Sequence, residues 1–205
     1  MPPLTHTDRS PCAEGAVCLV VGLGNPGADY EPTRHNAGFM AADALITELS
    51  GGRSAYTRMR CDALVSELGF EGRTVAVARP QTYMNLSGRS VKGLLKQYGL
   101  ALDGLLVIQD DLDLPVATLR LKQGGGDGGH RGVRSVIDSV GAGFARLKIG
   151  VGRPPGQMPA ERYALLAMRG EELEGLRADA ARAADIACAV LRHGVLRAQN
   201  EYNGI

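Results

Sequence analysis

Short β-branched runs alternate with segments of helical periodicity along almost this whole chain, and that alternation limits the fold more than any single residue does. Residues 17–21 form a compact apolar run that ends in a glycine-rich turn and reads as a buried strand. Residues 36–49 place Phe39, Ala42, Leu45, Ile46 and Leu49 at helical spacing. Residues 62–68 and 74–78, on either side of Glu71-Gly72-Arg73, read as a hairpin. Residues 86–98 form a second amphipathic helix that Gly99 is placed to end. Strands follow at 105–108, 117–121 and 145–151, with a short helix at 133–140 between the last two. Residues 160–166 and 171–191 read as helices, the second one Ala-rich. Strands alternating with helices predict an α/β fold, a single-domain α/β/α sandwich around a mixed, mostly parallel sheet. Residues 17–205 contain neither an internal repeat nor a dividing linker, and so are expected to be one domain.

Tryptophan is absent, so the core has to be built from Leu, Val, Ile and Ala. A formal net charge of +1 neither calls for nor excludes a nucleic-acid partner, because local patches matter more than totals. Cys12, Cys18, Cys61 and Cys188 have no C-x-x-C spacing, which argues against a zinc site; free thiols in a reducing cytoplasm are expected. Residues 1–16 have no apolar run and read as a disordered extension, not a signal peptide. The apolar stretches are too short to span a membrane.

Gly22-Leu23-Gly24-Asn25-Pro26-Gly27 fits the dinucleotide fingerprint G-x-G-x-x-G after a strand. That fingerprint needs a helix opening within the glycines and an acidic residue ending a second strand about 20 residues on. Here the helix begins near Asn36, and the acidic position falls inside it. The glycines therefore read as a tight loop at a strand's C-terminal end, where open α/β sheets build their sites.

His35 follows that loop, flanked by Arg34 and Asn36, and precedes a helix that can hold it rigidly. A lone His is more often structural than catalytic, but its near-neutral pKa also makes it the natural general base. Asp110 follows the strand at 105–108 and can accept the ring N–H of such a base. The run Gln109-Asp110-Asp111-Leu112-Asp113 also reads as a solvated acidic turn or a magnesium site. Adjacent acids on an extended segment point to opposite faces, which disfavours a shared cation. Asn85 and Ser87 can cap the next helix, and Asn85 can also read a substrate amide. Residues 117–153 carry Arg120, Lys122, Arg131, Arg134, Arg146, Lys148 and Arg153 against Asp127 and Asp138 alone. With the glycines at 124–129, they read either as a phosphate cradle or as a solvated basic face.

Taken in order, VVGLGNPGADYEPTRHNAGF, RPQTYMNLSG, VIQDDLDLP, LKQGGGDGGHRGVRSV, RLKIGVGRP and AQNEYN closely resemble the bacterial-type peptidyl-tRNA hydrolases from Val20 to Asn203. The resemblance implies a monomeric, metal-independent cytoplasmic enzyme without a cofactor or a required protein partner. Such an enzyme cleaves the ester between a peptide and the 3′ end of tRNA. It implies His35 as the base activating water, Asp110 as its orienter, and Asn25 as a discriminator of N-blocked from free aminoacyl groups. Tyr30, Tyr83 and Asn85 would lie in the substrate cleft, and Lys122 and Lys148 would clamp the tRNA 5′ phosphate. The chain departs from the family pattern at Gln109, often His, and at Arg131, where the G-H-N-G motif has an Asn that contacts substrate. Arg131 is carried as a substrate-binding candidate, although a guanidinium cannot accept a hydrogen bond. A non-catalytic RNA-binding protein on the same scaffold is the alternative, and a nucleotide-dependent oxidoreductase rests on the glycine fingerprint alone.

Overall fold

The computed structural model describes residues 18–53 and 55–203. The expected extension over residues 1–16 lies outside them. The elements run β1 (Leu19–Gly22), α1 (Ala37–Leu49), β2 (Arg58–Arg60), β3 (Ala63–Phe70), β4 (Arg73–Pro80), α2 (Ser87–Tyr98), β5 (Leu105–Asp111), β6 (Leu119–Gln123), α3 (Arg131–Val140), β7 (Ala145–Gly150), α4 (Ala160–Ala164), α5 (Gly170–His193) and α6 (Val195–Tyr202). The seven strands form one sheet in the order β2-β3-β4-β1-β5-β7-β6. β4, β1, β5 and β7 pair in parallel, while β3 and β6 run against their neighbours. The sheet is thus mixed and mostly parallel, as expected.

Apolar side chains cover both faces of the sheet. Leu106 and Ile108 of β5 join α1 and α5 in one core, whereas Leu105 and Val107 join α2 and α3 in the other. All four are fully buried, which is why this strand reads as a continuous apolar run without alternation. Each such side chain contributes about 1.5–3 kcal/mol through burial.

The glycines after β1 serve packing between layers. A Cβ on Gly22 would stand 2.1 Å from Gly38 O of α1, and one on Gly24 would stand 2.6 Å from the Phe39 ring. They let α1 lie directly against β1, and Gly27 turns the loop at φ 109°, so the fingerprint glycines have structural explanations that need no nucleotide.

Several expectations change. β2 was not anticipated, because Arg58-Met59-Arg60 is an exposed edge strand with no apolar pattern. α6 was also missed. It covers the opposite edge, where the Asn203 carboxamide accepts from Leu121 N (2.8 Å) and donates to Leu121 O (2.7 Å). Neither Asn85 nor Ser87 caps α2, since Leu86 is the N-cap and the Ser87 hydroxyl donates to Met84 O. Gly99 does end that helix, in the left-handed conformation at φ 63°. Cys61 and Cys188 are free thiols, but Cys18 is disulfide-bonded, which corrects the expectation of free thiols throughout.

Candidate active site

The order β4-β1-β5 makes the C-terminal end of β1 a switch point: the chain passes through α1 to one side and through α2 to the other. Crevices open at such points. A cavity of about 590 Å³ lies there, lined by Asn25, Tyr30, His35, Tyr83, Asn85 and Asp110 together with His130, Arg131 and Glu161.

His35 sits in a 3-10 turn (Arg34–Asn36) just ahead of α1. Its neighbours fix that turn. Arg34 is buried, with its guanidinium 3.9 Å from the Tyr163 ring centroid, and it pairs with Glu172. The Asn36 side chain accepts from Asn25 N (2.8 Å) and donates to Asn25 O (3.0 Å). Asn25 Oδ1 in turn accepts from Met84 N at 2.8 Å. Two asparagines therefore tie the glycine loop to the His35 turn and to the segment after β4. With Oδ1 engaged, Asn25 has its Nδ2 donors to offer the cavity.

Asp110 is the penultimate residue of β5 and is 3 % exposed. It receives one histidine from each helical layer. His35 Nδ1 lies 2.9 Å from Oδ1 and 3.1 Å from Oδ2, and His130 Nε2 lies 2.9 Å from Oδ1. His130 is the N-cap of α3, and its Nδ1 accepts from the backbone N–H groups of Gly132 (3.1 Å) and Val133 (3.2 Å). The His130 proton is thereby assigned to Nε2, which donates to Asp110. His35 donates through Nδ1–H, so its Nε2 carries a lone pair and has no partner among the described residues. Burial disfavours the His35 imidazolium, but the Asp110 carboxylate outweighs this and raises the pKa above 6.5. Burial would likewise raise the Asp110 carboxyl, yet the two histidines hold it well below the usual carboxylate range.

Candidate ligand atoms of His35, Asp110 and His130 lie within 4.8 Å of one another, a spacing open to a metal ion. A ligating nitrogen must be unprotonated, however, and the helix cap places the proton on His130 Nε2. The cluster fits a held carboxylate better than a metal centre.

The other expected residues divide. Tyr30, Tyr83, Asn85 and Arg131 line the cavity. Lys122 and Lys148 lie on the neighbouring β6–β7 edge, outside the cavity lining. Lys148 Nζ pairs with Asp111 at 2.5 Å, so Asp110 and Asp111 do point to opposite faces with separate partners. Arg146, nearly fully buried, donates to Gly126 O (2.6 Å) and to Gly124 O, shaping the glycine loop. Gln109 is buried at the cavity with its Oε1 unpartnered among the described residues. His130 is the functional candidate that the sequence reading left inside a phosphate cradle. Its signal was its place immediately before α3, where N-caps sit.

A family model described as peptidyl-tRNA hydrolase matches residues 19–205. The chain belongs to the peptidyl-tRNA hydrolase family. Peptidyl-tRNA hydrolases of Rhodococcus opacus (strain B4) and Streptomyces coelicolor are 44% and 38% identical to it over 183 and 192 residues. Those alignments cover 89% and 92% of this chain and 95% and 96% of theirs. The crystal structure of the peptidyl-tRNA hydrolase from Acinetobacter baumannii superposes with a TM-score of 0.83 at 34% identity, covering 91% of this chain and 94% of that one. A peptidyl-tRNA hydrolase solved in complex with N-propanol gives 0.84 at 33%, covering 92% and 95%. Both structures share the fold described above over more than nine-tenths of this chain.

Proposed function

We propose that this protein hydrolyses the ester between a peptide, or an N-blocked aminoacyl group, and the 3′ end of tRNA, freeing the tRNA for translation. The observation that carries this reading is His35, held through Nδ1 by Asp110 with Nε2 open to the cavity. Nε2 takes a proton from water as the water oxygen bonds to the ester carbonyl carbon. The tetrahedral intermediate then expels the ribose oxygen, which receives that proton from His35. Asp110 keeps the imidazole in the productive tautomer and stabilises the transient imidazolium. Donors at Asn25 and Asn85 suit a developing oxyanion or the substrate's amide. A charged α-amine in place of that amide would leave polar groups unpaired, which favours N-blocked substrates. Tyr30 and Tyr83 offer surfaces for the substrate, Arg131 offers a phosphate contact, and Lys122 and Lys148 offer phosphate contacts farther along the RNA.

No described helix is long and apolar enough to cross a membrane. With its substrate in the translation pool, the enzyme acts in the cytoplasm, and it acts as a monomer. Release of N-acetyl-amino acid from N-acetyl-aminoacyl-tRNA tests the reading. Wild type releases it with and without chelator, while His35→Ala binds tRNA but does not turn over. Binding without release by wild type would support a non-catalytic RNA-binding role instead.

A further inference from the structure

Arg131 and Glu161 form one wall of the cavity between them. Arg131 is the first residue of α3, and Glu161 is the second of α4. Nη1 stands 2.7 Å from Oε1 and Nη2 stands 2.9 Å from Oε2, a fork meeting a fork. A phosphodiester presents the same pair of anionic oxygens to a guanidinium. Both side chains are about three-fifths exposed, 61% and 60%, so RNA can reach them and the pair is weak enough to exchange. Arg131 also directly follows His130, whose ring centroid is 4.8 Å from that of His35. An anion held by Arg131 would therefore sit beside the reacting ester.

The other charges of this rim have partners of their own, with Arg134 meeting Asp127 in a second, longer fork. Asp127 takes Arg134 and the Gly129 N–H, Asp111 takes Lys148, and Arg153 reaches Asp113 through a single Nη2 contact. α4 is anchored independently of Glu161. Arg34 stacks on Tyr163 and donates to its carbonyl, and the Tyr163 hydroxyl donates to Val151 O. Releasing Arg131 therefore needs only a rotation of the Glu161 side chain.

We infer that Glu161 is a built-in competitor for substrate phosphate: it holds the Arg131 guanidinium in the free enzyme and gives it up to a phosphodiester near the 3′ end of the bound RNA. This rests on the hydrolase reading and adds to it a specific exchange at one residue pair. The carboxylate then discourages loose RNA from resting on the site, and a correctly placed 3′ end displaces it.

The test is a double-variant cycle on the full chain, with affinity for N-acetyl-aminoacyl-tRNA measured across a salt series. Glu161→Gln is expected to tighten binding roughly two- to fivefold, the range set by releasing an exposed ion pair. Arg131→Gln is expected to weaken it and to reduce the log–log salt slope by about 0.7–0.9, one phosphate contact. In the Arg131→Gln background, Glu161→Gln should no longer tighten binding. Equal tightening with and without Arg131 would overturn the exchange and leave only a general charge effect, as would no tightening at all. Ester release by wild type is measured in the same samples. Its absence defeats the hydrolase reading, whereas its presence with additive variant effects defeats only the exchange.

Discussion

His130 and Asp110 meet at the end of the sheet: Nε2 of the N-cap of α3 donates to the carboxylate of the penultimate residue of β5, at 2.9 Å. His35 reaches the same carboxylate from the opposite helical layer. Both contacts therefore depend on the two layers being docked on one sheet end, and the orienting acid is held from both sides.

Replacing His130 should disturb folding and rate together. His130→Ala removes the cap of α3 and one donor to a buried carboxylate, a loss of about 2–4 kcal/mol in denaturant unfolding. His130→Asn should recover the cap, about 1 kcal/mol, but not the contact with Asp110. A rate restored along with stability in His130→Asn would show that the contact with Asp110 is unimportant.

Asp110→Asn should lower kcat by about 10³–10⁴, as when the orienting acid of a triad becomes an amide. The new Nδ2 would face His35 Nδ1 and push the ring proton to Nε2, removing the base. Steady-state kinetics checks this, and near-normal turnover would exclude an orienting role.

The pH dependence follows from the two shifts. His35 must be neutral to accept a proton, and its pKa is raised above 6.5. The acid limb of kcat/KM should therefore fall through a value above 6.5. Its stabilising contribution has the opposite reach: it is present below the unfolded value and lost as pH rises through the folded one. Asp110, held below its ordinary 3.8, contributes stability above that value and loses it as pH falls through the folded one. A pH–rate profile and an acid-unfolding series, each repeated on Asp110→Asn, would show both limbs changed.

Lys122 and Lys148 should differ in their response to alanine. Lys122 is exposed, whereas Lys148 is partly buried against Asp111. Lys122→Ala should reduce the salt slope of tRNA binding by about 0.9 and leave stability unchanged. Lys148→Ala should also destabilise the fold, because it leaves the Asp111 carboxylate without its cation. Equal stability of the two variants would contradict the observed pairing.

The glycines offer a contrast within one chain. Gly38→Ala would force a methyl onto backbone atoms of β5 and the loop after β1, costing at least about 3 kcal/mol. Gly175, on an exposed turn of α5 with open space around it, should gain about 0.5–1 kcal/mol as alanine. Denaturant midpoints of the two variants decide the point.

Much of this protein is determined by local sequence. The apolar runs fix the strands because a doubly covered sheet needs side chains buried on both faces, as Leu105, Leu106, Val107 and Ile108 are. Gly99 fixes a helix end because it adopts a positive φ without a Cβ clash. His35 and Asp110 could be picked out because each comes after an apolar run that reads as a strand from sequence. What only the tertiary structure decided is which groups remain available once their partners are counted. Three-residue β2 and the terminal α6 gain their places from neighbouring elements and carry little pattern of their own. The Asn25 acceptor is taken by Met84, Lys148 by Asp111, and Arg131 by Glu161. His130 emerges as a support of Asp110 from 20 residues away in the chain. Sequence lists donors and acceptors, but their pairing depends on distances across layers that no local pattern encodes.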